Sequence, residues 1–412
     1  SSGDDTTTDS GTDATFDGAI SDSGPKSDGS TPTEDSGPDA SSPPAHRVFV
    51  TAENFSGNLV AEAATFAADA GLDAGAALDG GYVGAADTLC NAAAHKAVLK
   101  GTFAALVTAG TDKQMARFTD ADGPWALVDG TPVADSVADL ASGHWRTSVR
   151  MSESGVDLSQ AEQSVAWASG ETGNDCAGWT TGLVASNGNL GETDATGPYA
   201  LSGTGRTCNE THGLYCAEVG AGAGPNVYPP IPAGGKRVFV ADGAYPGNFA
   251  LSAATLLDAS APDAGDAVHG VGDEICNEVA RANGLSGKYH AWLSSTGANA
   301  KAYFQGIGMN GPWYRADGAE LAADLGELTT TGARTQIEMG PDGGILPLYS
   351  LSDSIWTGTQ LDGGIATNCT DFKTISAATT SANGRPLFRR SQWTNGNNFQ
   401  CSSPSGLYCF EE

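Results

Sequence analysis

Cations are scarce in this chain: 412 residues carry 20 Lys and Arg against 49 Asp and Glu, a net charge of −29. A nucleic-acid binder needs clustered cations for the phosphate backbone, so that class is excluded, and docking on an anionic membrane surface is disfavoured on the same ground. Long apolar runs are missing too, and without about 18 consecutive apolar residues no transmembrane span is expected. Charged residues make up only 17%, while glycine reaches 56 residues, which excludes a coiled coil or a long helical bundle. Catalytic signatures are also lacking. The six histidines are scattered, with no HExxH helix, and no GxSxG elbow, Walker loop or dinucleotide fingerprint occurs.

The acid is unevenly spread. Residues 1–45 hold ten acids and one lysine, net −9, in a Ser/Thr/Asp/Gly/Pro sequence with almost no apolar content. Such a segment cannot bury enough surface to offset chain entropy and is expected to be a disordered, extended tether. Residues 46–219 carry −13 and residues 220–412 only −7.

What is present is a long tandem repeat. Arg47-Val48-Phe49-Val50 recurs as Arg237-Val238-Phe239-Val240. Gly123-Pro124-Trp125 recurs as Gly311-Pro312-Trp313, and Gly213-Leu214-Tyr215-Cys216 as Gly406-Leu407-Tyr408-Cys409. The offset stays between 186 and 193 residues, which means two copies of one domain rather than a solenoid of short repeats. The expected organisation is a tether at 1–45, domains at 46–219 and 236–412, and a stiff Pro/Gly linker at 220–235. In each copy a β-type run and a Gly-Asn turn are followed by an Ala/Asp/Gly-rich insert, at about 63–83 and 257–269, expected to be a surface loop. A helix capped by Asp87 or Asp273 and a strand after Gly101 or Gly287 come next, so each copy reads as loop-rich α+β.

Each copy holds four of the eight cysteines: Cys90, Cys176, Cys208 and Cys216, then Cys276, Cys369, Cys401 and Cys409. No CxxC pair and no histidine at ligand spacing accompanies them, which disfavours zinc and favours a disulfide framework made in an oxidising compartment. Four cysteines allow three pairings per copy.

The motif order resembles the C-type-lectin-like fold of endostatin type: Gly84-Ala85-Ala86-Asp87-Thr88-Leu89-Cys90 and Gly272-Asp273-Glu274-Ile275-Cys276, the strands after Gly101 and Gly287, Ser354-Ile355-Trp356-Thr357-Gly358, and the closing Leu407-Tyr408-Cys409. The pattern is closer still to a bacterial domain-of-unknown-function family of exported proteins related to endostatin. It covers 46–219 and 236–412. The resemblance implies nested bridges, Cys90–Cys216 around Cys176–Cys208 and Cys276–Cys409 around Cys369–Cys401. It does not carry over a ligand set. The calcium and sugar triplets of sugar-binding C-type lectins are absent, as is the histidine cluster of endostatin's zinc site, so no metal or other cofactor is expected.

The expected function is non-enzymatic binding or adhesion by an exported, surface-tethered bacterial protein, with an extracellular glycan or protein, or a second copy, as partner. A self-assembling structural component is the alternative, and a carboxylate-based enzyme a third. The recurring Trp125/Trp313 and Trp167/Trp356 are expected to be core, and Asp120-Ala121-Asp122-Gly123 a turn rather than a calcium loop. Trp393, Asn395, Asn397 and Asn398 occur in one copy only, inside the Cys369–Cys401 loop, and are the candidate ligand contacts, because binding residues concentrate on scaffolded loops.

Overall fold

The structure, a computed structural model, describes residues 45–71, 81–108, 114–119, 122–160, 165–168, 174–220, 227–249, 251, 267–347 and 354–412. The tether expected at 1–45 therefore lies outside the described residues, apart from Ala45. So do the first two residues of the 120–123 turn and most of the second insert.

Two similar eight-stranded sheets organise the chain, one within 46–219 and one within 236–411. The first contains β1 (His46–Val50), β2 (Thr102–Ala105), β3 (Trp125–Ala126), β4 (Pro132–Ala134), β5 (Val165–Trp167), β6 (Asn187–Glu192), β7 (Gly205–Thr207) and β8 (Gly213–Val219). Their order is β4-β3-β1-β8-β5-β6-β7, with β2 also paired to β8. The second sheet repeats this order with β9 (Lys236–Tyr245), β10 (Tyr289–Ala291), β11 (Trp313–Tyr314), β12 (Glu320–Ala322), β13 (Ile355–Trp356), β14 (Thr380–Gly384), β15 (Asn397–Gln400) and β16 (Ser405–Glu411).

In each half the first strand pairs antiparallel with the last, Phe49 opposite Cys216 and Phe239 opposite Cys409, so the two ends of each repeat meet at its centre. The Arg-Val-Phe-Val runs explain this placement. Their β-branched and aromatic side chains suit a strand buried on both faces, and Val48, Phe49, Val238 and Phe239 are all buried.

Among the described residues three longer helices flank the sheets: α1 (Leu59–Asp69), α2 (Gly81–Lys96) and α3 (Ala267–Ala282). The first corrects the expectation of a loop over the start of the 63–83 insert. Leu59, Ala63 and Ala67 recur every four residues and are buried, giving the Ala-rich segment a narrow core-facing stripe. Asn58 caps it by accepting from the Ala61 amide. The helix positions of the aspartates also differ from expectation. Helix α2 begins six residues before Asp87 and α3 six before Asp273, so neither is an N-cap.

Both aspartates instead brace helix to strand. Asp87 Oδ1 accepts from the Ala105 amide and Asp273 Oδ1 from the Ala291 amide, at 2.8 Å each. One turn later, Asn91 exchanges two hydrogen bonds with the Phe103 backbone, and Asn277 does the same with Tyr289. A side-chain amide thus replaces a missing ladder partner. No described helix is long and apolar enough to cross a membrane.

Four disulfides staple this frame: Cys90–Cys216, Cys176–Cys208, Cys276–Cys409 and Cys369–Cys401, the nested pattern implied by the resemblance. The outer bridges tie α2 to β8 and α3 to β16. The inner bridges pass so close to the first turn of each repeat that a Cβ on Gly57 would sit 2.3 Å from Cys176 Sγ, and one on Gly247 2.9 Å from Cys369 Sγ. That close approach is why the turn carries glycine in both copies.

Candidate functional site

Trp393 is fully buried, against Trp292, Tyr408 and Phe410, so it is a core residue and offers no face to a ligand. Its presence in one copy has a packing cause. Trp393 and Trp145 each hold an indole 5.5 Å from the matching tyrosine, Tyr408 and Tyr215. Where the second repeat has Trp393 the first has Ala200, and where the first has Trp145 the second has Ala333. In each half an indole thus packs on the matching tyrosine, but from a different element. Asn395 and Asn398 are exposed and Asn397 half-buried. Asn397 and Asn398 lie on β15, the sheet edge, where Asn398 accepts from the Thr367 hydroxyl. The structure thus buries Trp393 and leaves the three asparagines at or near the surface.

The loops of the two halves meet each other instead, within one compact unit spanning residues 42–412. The contact is made by equivalent segments. Ala195 bridges antiparallel to Phe388, the Thr196 amide donates to the Leu387 carbonyl at 2.9 Å, and the Arg389 amide donates to the Asp194 carbonyl at 3.3 Å. Thr196 and Arg389 are the same position in the repeat, as are Asp194 and Leu387, so the seam has local twofold character. Ala195, Leu387 and Phe388 form their own small hydrophobic cluster there.

Around this pairing the repeats diverge in a complementary way. Leu127 of the first repeat corresponds to Arg315 of the second, Arg150 to Glu338, and Thr196 to Arg389. On one side, fully buried Arg315 pairs with Asp317 at 2.7 Å and with Glu338 at 3.4 Å, and donates to the Arg146 carbonyl of the other half at 2.6 Å. Glu338 also accepts from the Thr196 hydroxyl at 2.7 Å. On the other side, Asp157 lies between Arg150, at 3.3 Å, and Arg389, at 3.7 Å.

Burial pushes the Glu338 carboxyl up to about 7, against the opposing pull of Arg315. Burial and the neighbouring Arg150 bring Arg389 down to about 9. Burial would raise Asp157, but Arg389, Ser159 and Arg150 outweigh it and hold the carboxyl below its ordinary value.

Beside this seam lies a cleft of about 530 Å³. Thr131, Thr147 and Arg150 of the first half, and Tyr314, Arg334 and Thr335 of the second, contribute to its lining. Tyr228, Pro229, Pro230 and Pro232 close one wall. The expected linker is therefore part of the site over its described stretch. Tyr228 donates to the Pro132 carbonyl and lies 5.8 Å beneath the Arg315 guanidinium. Thr147 and Thr335 are the same position in the two repeats, and both are buried. Thr147 Oγ1 accepts from Arg150, whereas Thr335 Oγ1 makes no hydrogen bond among the described residues.

Sequence reading passed over this site because its residues are ordinary surface types within one repeat. The available signal was the set of charge differences between repeats at 127/315, 150/338 and 196/389. Among the described residues no group of three or more His, Cys, Asp or Glu is placed to hold a metal ion. No protein-family model matches the chain, and no curated protein matches it.

Proposed function

We propose that this chain is an exported, non-enzymatic binding or adhesion protein, built from two endostatin-type C-type-lectin-like domains and held at a bacterial cell surface or in its matrix by the acidic N-terminal segment. The partner is an extracellular glycan or protein. The observation that carries the reading is the open cleft built from segments of both disulfide-stapled halves. The four disulfides are compatible with an oxidising, extracellular compartment.

The test is an array of extracellular glycans and surface proteins probed with the full chain, with and without calcium, beside light scattering of the same sample. Saturable binding to an array member by a monomeric chain is the expected result. Assembly into large homo-oligomers with no array binding would favour the structural alternative, and turnover of an array member would favour an enzyme.

A further inference from the structure

The outer edges of the two sheets differ. Strands β7 and β15 each end a sheet, and among the described residues nothing pairs with the far side of either. Such edges present unpaired N–H and C=O groups, and charged side chains commonly guard them. Aligned on Cys208 and Cys401, Arg206 of β7 stands where β15 has Phe399, and Glu210 where the second repeat has Ser403. Residues 391–410, which include all of β15, carry no charged side chain. The guard of the first copy is missing from the second. The backbone groups that β15 offers follow from its partner strand. Ala382 of β14 donates to the Thr367 carbonyl and accepts from the Gly358 amide, on the side away from β15. Ser381 and Asn383 therefore face β15, opposite Phe399 and Asn397, and alternation turns the N–H and C=O of Asn398 and Gln400 outward. Both residues are exposed. Their carboxamides share one face of the strand. Half-buried Phe399 takes the other face, beside an open cavity of about 410 Å³ that it lines with Ile355 and Pro404.

We infer that β15 is a docking edge for an extended, uncharged segment of a partner protein, which adds a ninth strand to the second sheet. This rests on the binding reading above and narrows its partner from glycan or protein to protein. Main-chain hydrogen bonds supply the affinity, and the side chains of β15 set the pattern of the added strand. Residues beside Asn398 and Gln400 are hydroxyl or amide types, which can both donate to and accept from a carboxamide, and residues beside Phe399 are apolar. A net charge of −29 repels an acidic segment, and a second copy of this chain with it, while β15 itself offers a cationic segment no carboxylate.

The probe is a labelled, end-capped peptide of alternating valine and threonine. Its controls are N-methylated at alternate residues, or carry glutamate or lysine in place of threonine. Binding to the full chain is measured by fluorescence anisotropy and located by amide chemical shifts. The inference expects saturable binding of the Val/Thr peptide, unchanged between low and high salt, with shifts centred on residues 398–400 and not on β7. Binding should weaken about tenfold or more for the N-methylated and glutamate peptides, and equally in the Gln400→Pro and Phe399→Arg variants. The Gln400 N–H faces outward, so proline there should leave the melting temperature near that of the parent, and its loss of binding is not a loss of folding. Phe399→Arg restores the charge that the first copy carries. Peptide binding that survives both variants, or that shifts β7 equally, would overturn the edge while leaving the binding reading intact. Preference for the lysine peptide would overturn the uncharged partner, and dimerisation of the chain that Gln400→Pro abolishes would replace the partner by a second copy. Binding of no peptide would overturn the inference alone, and a silent wider array beside it would overturn both.

Discussion

At the scale of single residues, the two repeats keep one core by different means. Trp145 packs on Tyr215 and Trp393 on Tyr408 from non-equivalent positions, with Ala333 and Ala200 opposite, so neither tryptophan is spare. Trp393→Ala should lower stability by about 3–5 kcal/mol by chemical denaturation, the usual cost of an emptied aromatic site. Adding Ala333→Trp in the same chain should recover part of that loss, while Ala333→Trp alone should overpack and destabilise. This compensation was hidden in the sequence, because a tryptophan found in one copy only reads as a contact residue until its counterpart at another position is recognised. The recurring tryptophans were legible for the opposite reason. Trp125, Trp167, Trp313 and Trp356 hold the same place in both copies and all four are buried.

At the scale of elements, cysteine spacing was the most legible feature and alanine content the least. The closing three cysteines keep spacings of 32 and 8 in both copies, and the inner bridges span those 32 residues. In the chain-entropy picture an inner bridge contributes about 4 kcal/mol and an outer bridge about 5 kcal/mol. Replacing Cys176 and Cys208 together by alanine should therefore lower stability by about 4 kcal/mol, read from the denaturation midpoint. Helix α1 escaped notice because Ala, Asp and Gly compose loops as readily as helices, and only Leu59, Ala63 and Ala67 mark its buried face. The helix-to-strand braces were readable in principle, since Asp87 with Asn91 and Asp273 with Asn277 recur at the same spacing. Their role needed the strand alongside, because an aspartate in front of an apolar run looks like a cap.

The whole molecule adds a pH dependence. A carboxyl that holds its proton more tightly folded than unfolded stabilises the fold below its unfolded value, and that contribution is lost as pH rises. Burial moves Glu338 from 4.5 to about 7 and Asp87, despite Arg117, from 3.8 to about 6. Asp194 is raised by burial as well. His290 is opposed by its own burial, but Asp273 and Glu412 prevail and raise it, so its contribution also fades as pH rises through its folded value. Asp157 works the other way: held below its ordinary value, it stabilises at neutral pH and loses that effect in acid. Stability should therefore peak near about pH 5 and decline toward pH 8. Glu338→Gln should flatten the decline, as followed by melting temperature across that range, and an unchanged slope would remove Glu338 from its cause.

The central claim is that the two repeats are joined by a specific seam rather than strung on a spacer. Native-state hydrogen exchange at the amides of Thr196 and Arg389 tests it most directly. These amides lie outside the sheets and donate only across the seam. Protection comparable to that of the β8 and β16 amides is the predicted result. Exchange as fast as in an open surface loop would contradict the seam.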